Sequence, residues 1–419
     1  NILDLLIPAP SVRQQTEKIF ICAVCKYVFL KINYCASYLF YTHHGRVNYS
    51  FRSRKHLNIL EIILHCYKFL NRDMTIKNPI CIIRVDGHSD LGFGHLSRTK
   101  TIAKSLEKAN LKCIFSVTEK TMNSSANALI SGFETIALRN NETLSSKLKK
   151  NKLAAPTVLL VDHYGDGREE LSNSYFSQTL KVLIDDKSFN NKFCDILINP
   201  NGIPNVPNKI AESCLFGPKY MPVSEKIVSL AGAWSANNPV PRKPICLISL
   251  GATDPNATTI QILDSLSTIE VSKRFEFKIL LSNASKTFGQ TRDFICTLQT
   301  ALNLELISDR TELSDLCLKA HCCIGASGVS AWERAVIGLP SALVVTADNQ
   351  NLIKDYLAKR KAIFAIEKLK RKQLNLSLEK FLKLALLNAP EFLALSNISK
   401  TILDGKGALR ISKAITKHI

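Results

Sequence analysis

The stretch Gly92-Phe93-Gly94-His95 combines residues that permit close approach of a ligand with one that can carry a proton. Glycine lets the backbone come near a ligand that a Cβ would exclude, and a neutral imidazole can accept a proton near pH 7, since histidine has a reference pKa of about 6.5. The apolar run Ile80–Val85 precedes this stretch, and apolar residues follow it at helical spacing. The pattern predicts a strand, a glycine loop and a helix, with His95 at the strand's carboxyl end, where open α/β sheets bind ligands. A tight turn with a helix-capping histidine fits this short motif equally well.

A second loop, Gly325-Ala326-Ser327-Gly328, is followed by a helical pattern over 329–336 that carries Ser330, Glu333 and Arg334. A Gly/Ser loop at a helix N-terminus suits a diphosphate, because backbone N–H groups, the Ser327 hydroxyl and the positive end of the helix dipole can face the anion. Glu333 can accept hydrogen bonds from a pair of sugar hydroxyls. The alternative is that Glu333 and Arg334 are surface charges on an ordinary helix. A further loop, 251–256, follows another predicted strand and faces the same cleft by topology.

The metal-ligand residue types in the chain do not have a metal-site spacing. Cys22 and Cys25 with His43 and His44 lack a second C-x-x-C or H-x-x-x-H pair. Two further pairs, Asp162-His163 and Asp185-Asp186, stand at strand ends, where structural roles are expected. We therefore predict neither a bound metal nor a cofactor.

Composition narrows the class of protein. A chain of 419 residues is long enough for two or three domains, and 46% hydrophobic with 21% charged residues is typical of a soluble globular protein. The net charge of +20 is compatible with nucleic-acid binding, but no Arg/Lys-rich helix with interleaved aromatics is present. We expect no nucleic-acid partner, and the positive excess suits an anionic substrate. Thirteen cysteines without a disulfide-framework spacing indicate reduced, mostly buried thiols in a cytoplasmic protein.

Residues 1–73 differ from the rest of the chain, with 11 Phe or Tyr residues and one glycine, Gly45. They are either a real extension or upstream sequence translated ahead of a start at Met74, and we favour the second. Their apolar run 19–25 stops at Lys26, whereas a membrane span needs about 20 apolar residues. We predict no stable membrane insertion and expect this extension to be dispensable.

From residue 80 onward, strand and helix patterns alternate. In the first half, strands are predicted at 80–85, 111–117, 133–138, 157–162, 182–184 and 196–198. After a linker at 222–244, which is rich in proline and small residues, strands are predicted at 245–250, 275–281, 304–307, 321–324 and 343–345. Regular βα alternation implies parallel sheets with right-handed crossovers. We predict an α/β protein with two doubly wound, Rossmann-like domains facing across a cleft: 74–235, which carries the catalytic loop, and 236–419, which binds the nucleotide-sugar and includes the terminal helix.

Five motifs occur in a familiar order: GFGH at 92–95, DHYGD at 162–166, SLGATDPN at 249–256, ASGVSAWERAVIGLP at 326–340 and ADNQ at 347–350. Together with the tail LDGKGALRISKAI at 403–415, they resemble the UDP-sugar hydrolases of pseudaminic-acid biosynthesis. That family is similar in fold to the inverting GT-B glycosyltransferase that makes lipid II. The resemblance spans about residues 76–416.

The resemblance implies hydrolysis of UDP-2,4-diacetamido-2,4,6-trideoxy-β-L-altropyranose by water, with His95 as general base and with Asn256 and Glu333 on the nucleotide-sugar. Where the family has GG(T/S)D, this chain has Gly251-Ala252-Thr253-Asp254. The candidate substrate-binding residues are Gly92, Gly94, Asp162, Gly251, Asn256, Ser327, Gly328, Glu333, Asn349 and Gln350. We expect a monomer whose partner is a UDP-sugar. Two other functions remain open from the sequence: a GT-B glycosyltransferase, in which an acceptor hydroxyl replaces water, and a non-catalytic nucleotide-sugar-binding protein.

Overall fold

The structure, a computed structural model, describes residues 79–88, 91–163, 165–186, 193–201, 213–235, 240–308, 313–367 and 369–419. All of them belong to one compact unit, Ile76–Ile419. The predictions for residues 1–73, including the metal-ligand types at Cys22, Cys25, His43 and His44, lie outside the described residues. The Asn349 side chain also lies outside the described part of the chain.

The first sheet contains β1 Ile80–Val85, β2 Lys112–Thr118, β3 Glu134–Leu138, β4 Val158–Asp162, β5 Leu180–Ile184, β6 Ile196–Asn199 and β7 Ser213–Phe216. Their order is β3-β2-β1-β4-β5-β6-β7, and every pair is parallel. Strands β1, β4 and β6 are almost wholly buried, because helices cover both faces of a parallel sheet. The sequence did not predict β7, in which only Leu215 is buried.

The second sheet contains β8 Ile245–Ser249, β9 Glu276–Leu280, β10 Asn303–Ile307, β11 Cys322–Ala326, β12 Ser341–Val344 and β13 Phe364–Ala365. Its order is β10-β9-β8-β11-β12-β13, again with parallel pairs throughout. Cys322 and Cys323 lie in β11 as predicted and are free, buried thiols. The two-residue strand β13 is too short to give an apolar run, so the sequence did not reveal it.

Helices connect these strands on both faces of the sheets. In the described residues they are α1 Gly94–Glu107, α2 Glu119–Met122, α3 Leu144–Lys150, α4 Glu225–Ser229, α5 Thr258–Ser267, α6 Phe288–Leu298, α7 Leu313–Lys319, α8 Val329–Ile337, α9 Asn351–Lys359, α10 Arg371–Leu386, α11 Pro390–Ile402 and α12 Gly407–Thr416. Alternate residues of β1 enter opposite cores: Ile83 packs in the core that contains α1, and Ile82 in the core that contains α3. This arrangement confirms the doubly wound prediction. The predicted linker 222–244 is not wholly irregular, because Ser224 caps the short helix α4.

The terminal helix α12 belongs to the second half by sequence but packs on the first. Its apolar residues Ile411 and Ile415 join the core of the first sheet. The Ser412 hydroxyl donates to the Ser105 carbonyl oxygen at 3.1 Å, and Gly407 lies so close to the Met221 backbone that a Cβ there would collide with it. The apolar face of α12 therefore packs the last helix against the first half of the chain. The domain boundary at 235/236 stays a prediction, since residues 236–239 lie outside the described range.

Candidate active site

Polar side chains lie where the strands of the first sheet end. Asp86 follows β1, Asp162 ends β4, Asp186 follows β5 and Asn199 ends β6. The carboxyl ends of parallel strands meet at one edge of a sheet, and all four side chains there are buried. A buried polar group is costly unless it is hydrogen-bonded, so this edge requires an internal network.

His95 is the second residue of α1, and its ring is held by that network. His95 Nδ1 lies 2.8 Å from Asp162 Oδ1, with 14% of the histidine side chain and 1% of the aspartate side chain exposed. An Arg98 terminal nitrogen also lies 3.2 Å from Nδ1, but the carboxylate is nearer and can only accept, so the geometry favours the tautomer with the proton on Nδ1 and the lone pair on Nε2. Any proton that His95 takes up therefore goes to Nε2, as expected of a general base.

Arg98, one helical turn after His95, fixes the aspartate in turn. Its Nε and one terminal nitrogen donate to the two oxygens of Asp162, each at 2.6 Å, and its other terminal nitrogen donates to Asp186 at 2.7 Å. Asn201 donates to the second oxygen of Asp186 at 2.9 Å. Burial alone would raise the pKa of Asp162, but Arg98 and His95 outweigh burial and hold that pKa well below its usual range.

Asp162 therefore differs from its prediction as a substrate contact: it is buried, and its oxygens accept from His95 and Arg98. The sequence analysis missed Arg98. The available signal was an arginine three residues after His95, a spacing that places both side chains on the same face of α1.

A second histidine and aspartate pair lies beside the first. His163 Nε2 is 3.1 Å from Asp86 Oδ2, and Arg84 donates to the same oxygen at 2.7 Å. The Gly165 backbone N–H donates to His163 Nδ1 at 3.0 Å, so the ring proton sits on Nε2. Burial raises the pKa of Asp86, but His163 and Arg84 outweigh it and bring that pKa well below its usual range. Both ring nitrogens of His163 therefore take part in hydrogen bonds of this network.

The first glycine loop lies against the start of the second loop's helix. A Cβ added to Gly94 would be 3.6 Å from Cγ2 of Val329, the first residue of α8. Gly92 has φ of +78°, a backbone conformation that favours glycine. His95, the next residue after Gly94, is thereby placed close to the N-terminus of α8.

Several predicted residues of the second half come together beside α8. The Asn256 amide donates to the Thr346 carbonyl oxygen at 3.3 Å, and Gln350 Oε1 accepts from the Thr346 N–H at 2.9 Å. The Gln350 side chain also lies 3.9 Å from the Cβ position of Gly328. Asn256, Gln350 and Gly328 thus border one region, and Glu333 is half-buried one turn further along α8.

The Ser327 hydroxyl does not have its predicted role. It is fully buried and donates to the Val344 carbonyl oxygen at 2.9 Å, so it joins β11 to β12. Ser330 instead lines a small pocket at the carboxyl edge of the second sheet. The pocket is bordered by Ser249, Gly251, Ala252, Leu280, Ser282, Leu313 and Ser330. Gly251 has φ of +104° and open space at its Cβ position, so its backbone is accessible to a ligand.

The described residues provide neither a cluster of metal ligands nor a helix that could cross a membrane. No group of three or more His, Cys, Asp or Glu side chains in the described ranges is arranged to hold a metal ion. Within the same ranges, every helix is too short or too polar to cross a membrane.

Comparison with known proteins identifies the fold. No family model matches the chain. An uncharacterised protein of Methanocaldococcus jannaschii, MJ1062, is 20% identical over 286 residues; the match covers 66% of this chain and 58% of that relative. The chain thus spans less than two thirds of the relative's length.

Solved structures match over most of their length at low identity. MurG of Acinetobacter baumannii is 12% identical with a TM-score of 0.54, covering 81% of this chain and 99% of that one. MnaA of S. aureus, solved with UDP, is 12% identical with a TM-score of 0.56, covering 81% and 96%. A putative UDP-N-acetylglucosamine 2-epimerase from Listeria monocytogenes is 11% identical with a TM-score of 0.55, covering 81% and 96%. These likenesses confirm the predicted GT-B-like fold of two Rossmann-like domains.

Proposed function

We propose that this chain is an enzyme that hydrolyses UDP-2,4-diacetamido-2,4,6-trideoxy-β-L-altropyranose to UDP and the free sugar, as in pseudaminic-acid biosynthesis. The observation that carries the proposal is the placement of His95, oriented by Asp162, next to the loop and helix that suit a diphosphate. A proton acceptor and an anion site are the two elements that this reaction needs. UDP as the nucleotide is supported by the MnaA structure with UDP, and the sugar by the motif resemblance.

In the proposed reaction, His95 Nε2 takes a proton from water while the water oxygen bonds to the anomeric carbon. The bond from that carbon to the diphosphate oxygen breaks, and its electron pair leaves with UDP. Attack opposite the leaving group inverts the anomeric configuration. Asp162 accepts from Nδ1 and stabilises the imidazolium that forms, much as an aspartate supports histidine in other enzymes.

The leaving diphosphate gains negative charge as the bond breaks. The N-terminus of α8, with the Gly328 N–H that precedes it, supplies donors that can stabilise this charge without reorganising, whereas the Ser327 N–H donates to the Val344 carbonyl oxygen at 3.1 Å. Gly251 leaves its own backbone accessible to the same anion. We assign Asn256, Gln350 and Asn349 to the nucleotide-sugar, and Glu333 to its sugar hydroxyls.

The decisive experiment omits any acceptor. The protein is incubated with the proposed UDP-sugar and with a panel of other UDP-sugars in ¹⁸O-labelled water, and UDP and the free sugar are analysed by mass spectrometry. Hydrolysis at the anomeric carbon puts ¹⁸O in the sugar and none in UDP. His95→Ala is the matched control and should release little UDP.

Three results would argue against hydrolysis. UDP-sugar binding with UDP release only after an acceptor is added would indicate a glycosyltransferase. Conversion to an isomeric UDP-sugar would indicate an epimerase. Binding with no conversion under any condition would indicate a non-catalytic binding protein.

A further inference from the structure

A buried positive charge lies beneath the second glycine loop. Arg334, in α8, has 0% of its surface exposed. One terminal nitrogen donates to the Ala326 carbonyl oxygen at 2.8 Å, the other donates to Ser330 Oγ at 3.1 Å, and Nε has no hydrogen-bond partner. Its guanidinium occupies the space beside Gly325, where a Cβ would lie 2.5 Å from it. Arg334 makes no ion pair with the described residues.

Two thiols that interact electrostatically with Arg334, Cys317 and Cys323, do not neutralise it. Burial raises the pKa of the Cys323 thiol to about 12 despite the opposing effect of Arg334. Burial likewise raises the pKa of Cys317 far above its usual range. Both thiols are therefore neutral near pH 7, whereas a guanidinium stays charged at any pH the protein tolerates.

Two other buried arginines of this protein form ion pairs with aspartates. Arg98 is paired with Asp162 and Asp186, and Arg84 is paired with Asp86. A buried charge without a partner is unfavourable, so an arginine retained in this state indicates that its countercharge comes from a ligand.

Ser330 connects this charge to the pocket. Its oxygen accepts from Arg334, so its own hydroxyl hydrogen must be directed to a different acceptor. Ser330 also lines the pocket together with Gly251. An anion bound there can accept from the Ser330 hydroxyl, whose donor strength is increased by the arginine behind it.

We infer that Arg334 is a positioning residue that supplies the buried countercharge for the diphosphate and acts on it through Ser330 and the loop 325–328. The inference rests on the proposed nucleotide function and adds a residue to it. Arg334 is expected to favour anionic ligands over neutral ones without touching the reacting carbon.

The test compares ligands that differ in charge. UDP, uridine and inorganic diphosphate are titrated by calorimetry into the wild-type chain and into Arg334→Met, Arg334→Lys and Ser330→Ala. Arg334→Met should weaken UDP and diphosphate binding by about tenfold or more and uridine binding by less than about twofold. Arg334→Lys, which keeps the charge, should restore part of the UDP affinity. Arg292→Met, at an exposed arginine of α6, is the matched control and should bind like wild type.

Thermal unfolding gives a second readout. Without ligand, Arg334→Met should melt at the wild-type temperature or above it, because an uncompensated buried charge is gone. The increase in melting temperature produced by UDP should shrink. A purely structural arginine would give the opposite result, a lower melting temperature with ligand selectivity unchanged.

The outcomes separate the two proposals. Suppose that the wild-type protein binds UDP and that Arg334→Met loses affinity for UDP and uridine equally. That result would overturn this inference and leave the proposed function intact. Wild-type protein that binds neither UDP nor diphosphate would overturn both. If Arg334→Met does not fold, Ser330→Ala decides: unchanged UDP affinity there would overturn the inference.

Discussion

The two sheets end in edges of opposite character. At the edge of the first sheet, buried charges neutralise one another: Arg98 contacts Asp162 and Asp186, and Arg84 contacts Asp86. The pocket at the edge of the second sheet is lined by glycine, serine and apolar residues, and Arg334, buried beneath it, has neutral hydrogen-bond partners.

The two edges are therefore suited to different roles, proton transfer at the first and anion binding at the second. A self-compensated network holds a histidine in one orientation and tautomer, which suits a group that transfers protons. An edge with donors and an uncompensated positive charge is completed by an anion.

His95→Ala should lower kcat by about 10² to 10⁴, because the general base is lost. UDP affinity should change little, since the proposed nucleotide contacts come from the second half. Turnover, UDP calorimetry and melting temperature measured on the same variant separate this role from helix capping. A stable variant that binds UDP and turns over at a near-normal rate would remove His95 from the mechanism.

Asp162→Asn should destabilise the first half by about 3 kcal/mol, because it breaks a buried ion pair and leaves Arg98 undercompensated. The NH₂ group of the new asparagine would also face the N–H donors of Arg98, and the His95 tautomer would be held less firmly. Turnover should therefore fall as well. Urea unfolding measures the stability change. Asp264→Asn, at a more exposed ion pair with Arg371, is the control and should cost less than about 1 kcal/mol.

Lowering the pH should destabilise the carboxylate network at the edge of the first sheet before it affects the edge of the second sheet. The folded-state pKa values of Asp162 and Asp86 are lowered, so the unfolded chain binds more protons than the folded one. Their contribution to stability is present above the unfolded pKa of about 3.9 and is lost as the pH falls below it. Urea unfolding between pH 7 and 3 should show a smaller loss of unfolding free energy for Asp162→Asn than for wild type. An equal pH dependence of the unfolding free energy in the two proteins would contradict the role of the network.

Glu333→Ala should raise KM about tenfold with little change in kcat, because a hydrogen bond to a charged acceptor contributes about 1.5–3 kcal/mol to binding. Steady-state kinetics with the UDP-sugar measures both constants. Glu391→Ala, at an exposed glutamate in the first turn of α11, serves as the control. A large fall in kcat at constant KM would instead place Glu333 in the chemistry.

Ser327→Ala should cost about 1 kcal/mol of stability, the usual value of one hydrogen bond, here the one to Val344. Its effect on UDP affinity should be smaller than that of Ser330→Ala, since Ser330 lines the pocket and Ser327 does not. Calorimetry on the two variants side by side makes the comparison. A greater loss of affinity in Ser327→Ala would return the anion-binding role to its hydroxyl.

Most of the strands, and the order in which they follow along the chain, could be predicted from the sequence alone. Apolar runs such as 80–85 and 157–162 predict buried parallel strands, because parallel strands covered on both faces require unbroken apolar residues. The glycine loops were also recognisable, and with them the position of His95 between a strand and a helix. Strands β7 and β13 were missed, because two to four half-buried residues do not produce a periodic pattern.

Only the tertiary structure decided which side chains meet. His95 and Asp162 are 67 positions apart, and they meet because β1 and β4 are neighbours with Val85 opposite Asp162. The same packing buried Arg98 and Arg334 and turned the Ser327 hydroxyl away from the pocket. It also brought α12 onto the first sheet. Hydrophobic periodicity is local and can be recognised along the chain, whereas the compensation of a buried charge depends on strand order and register, which no single segment encodes.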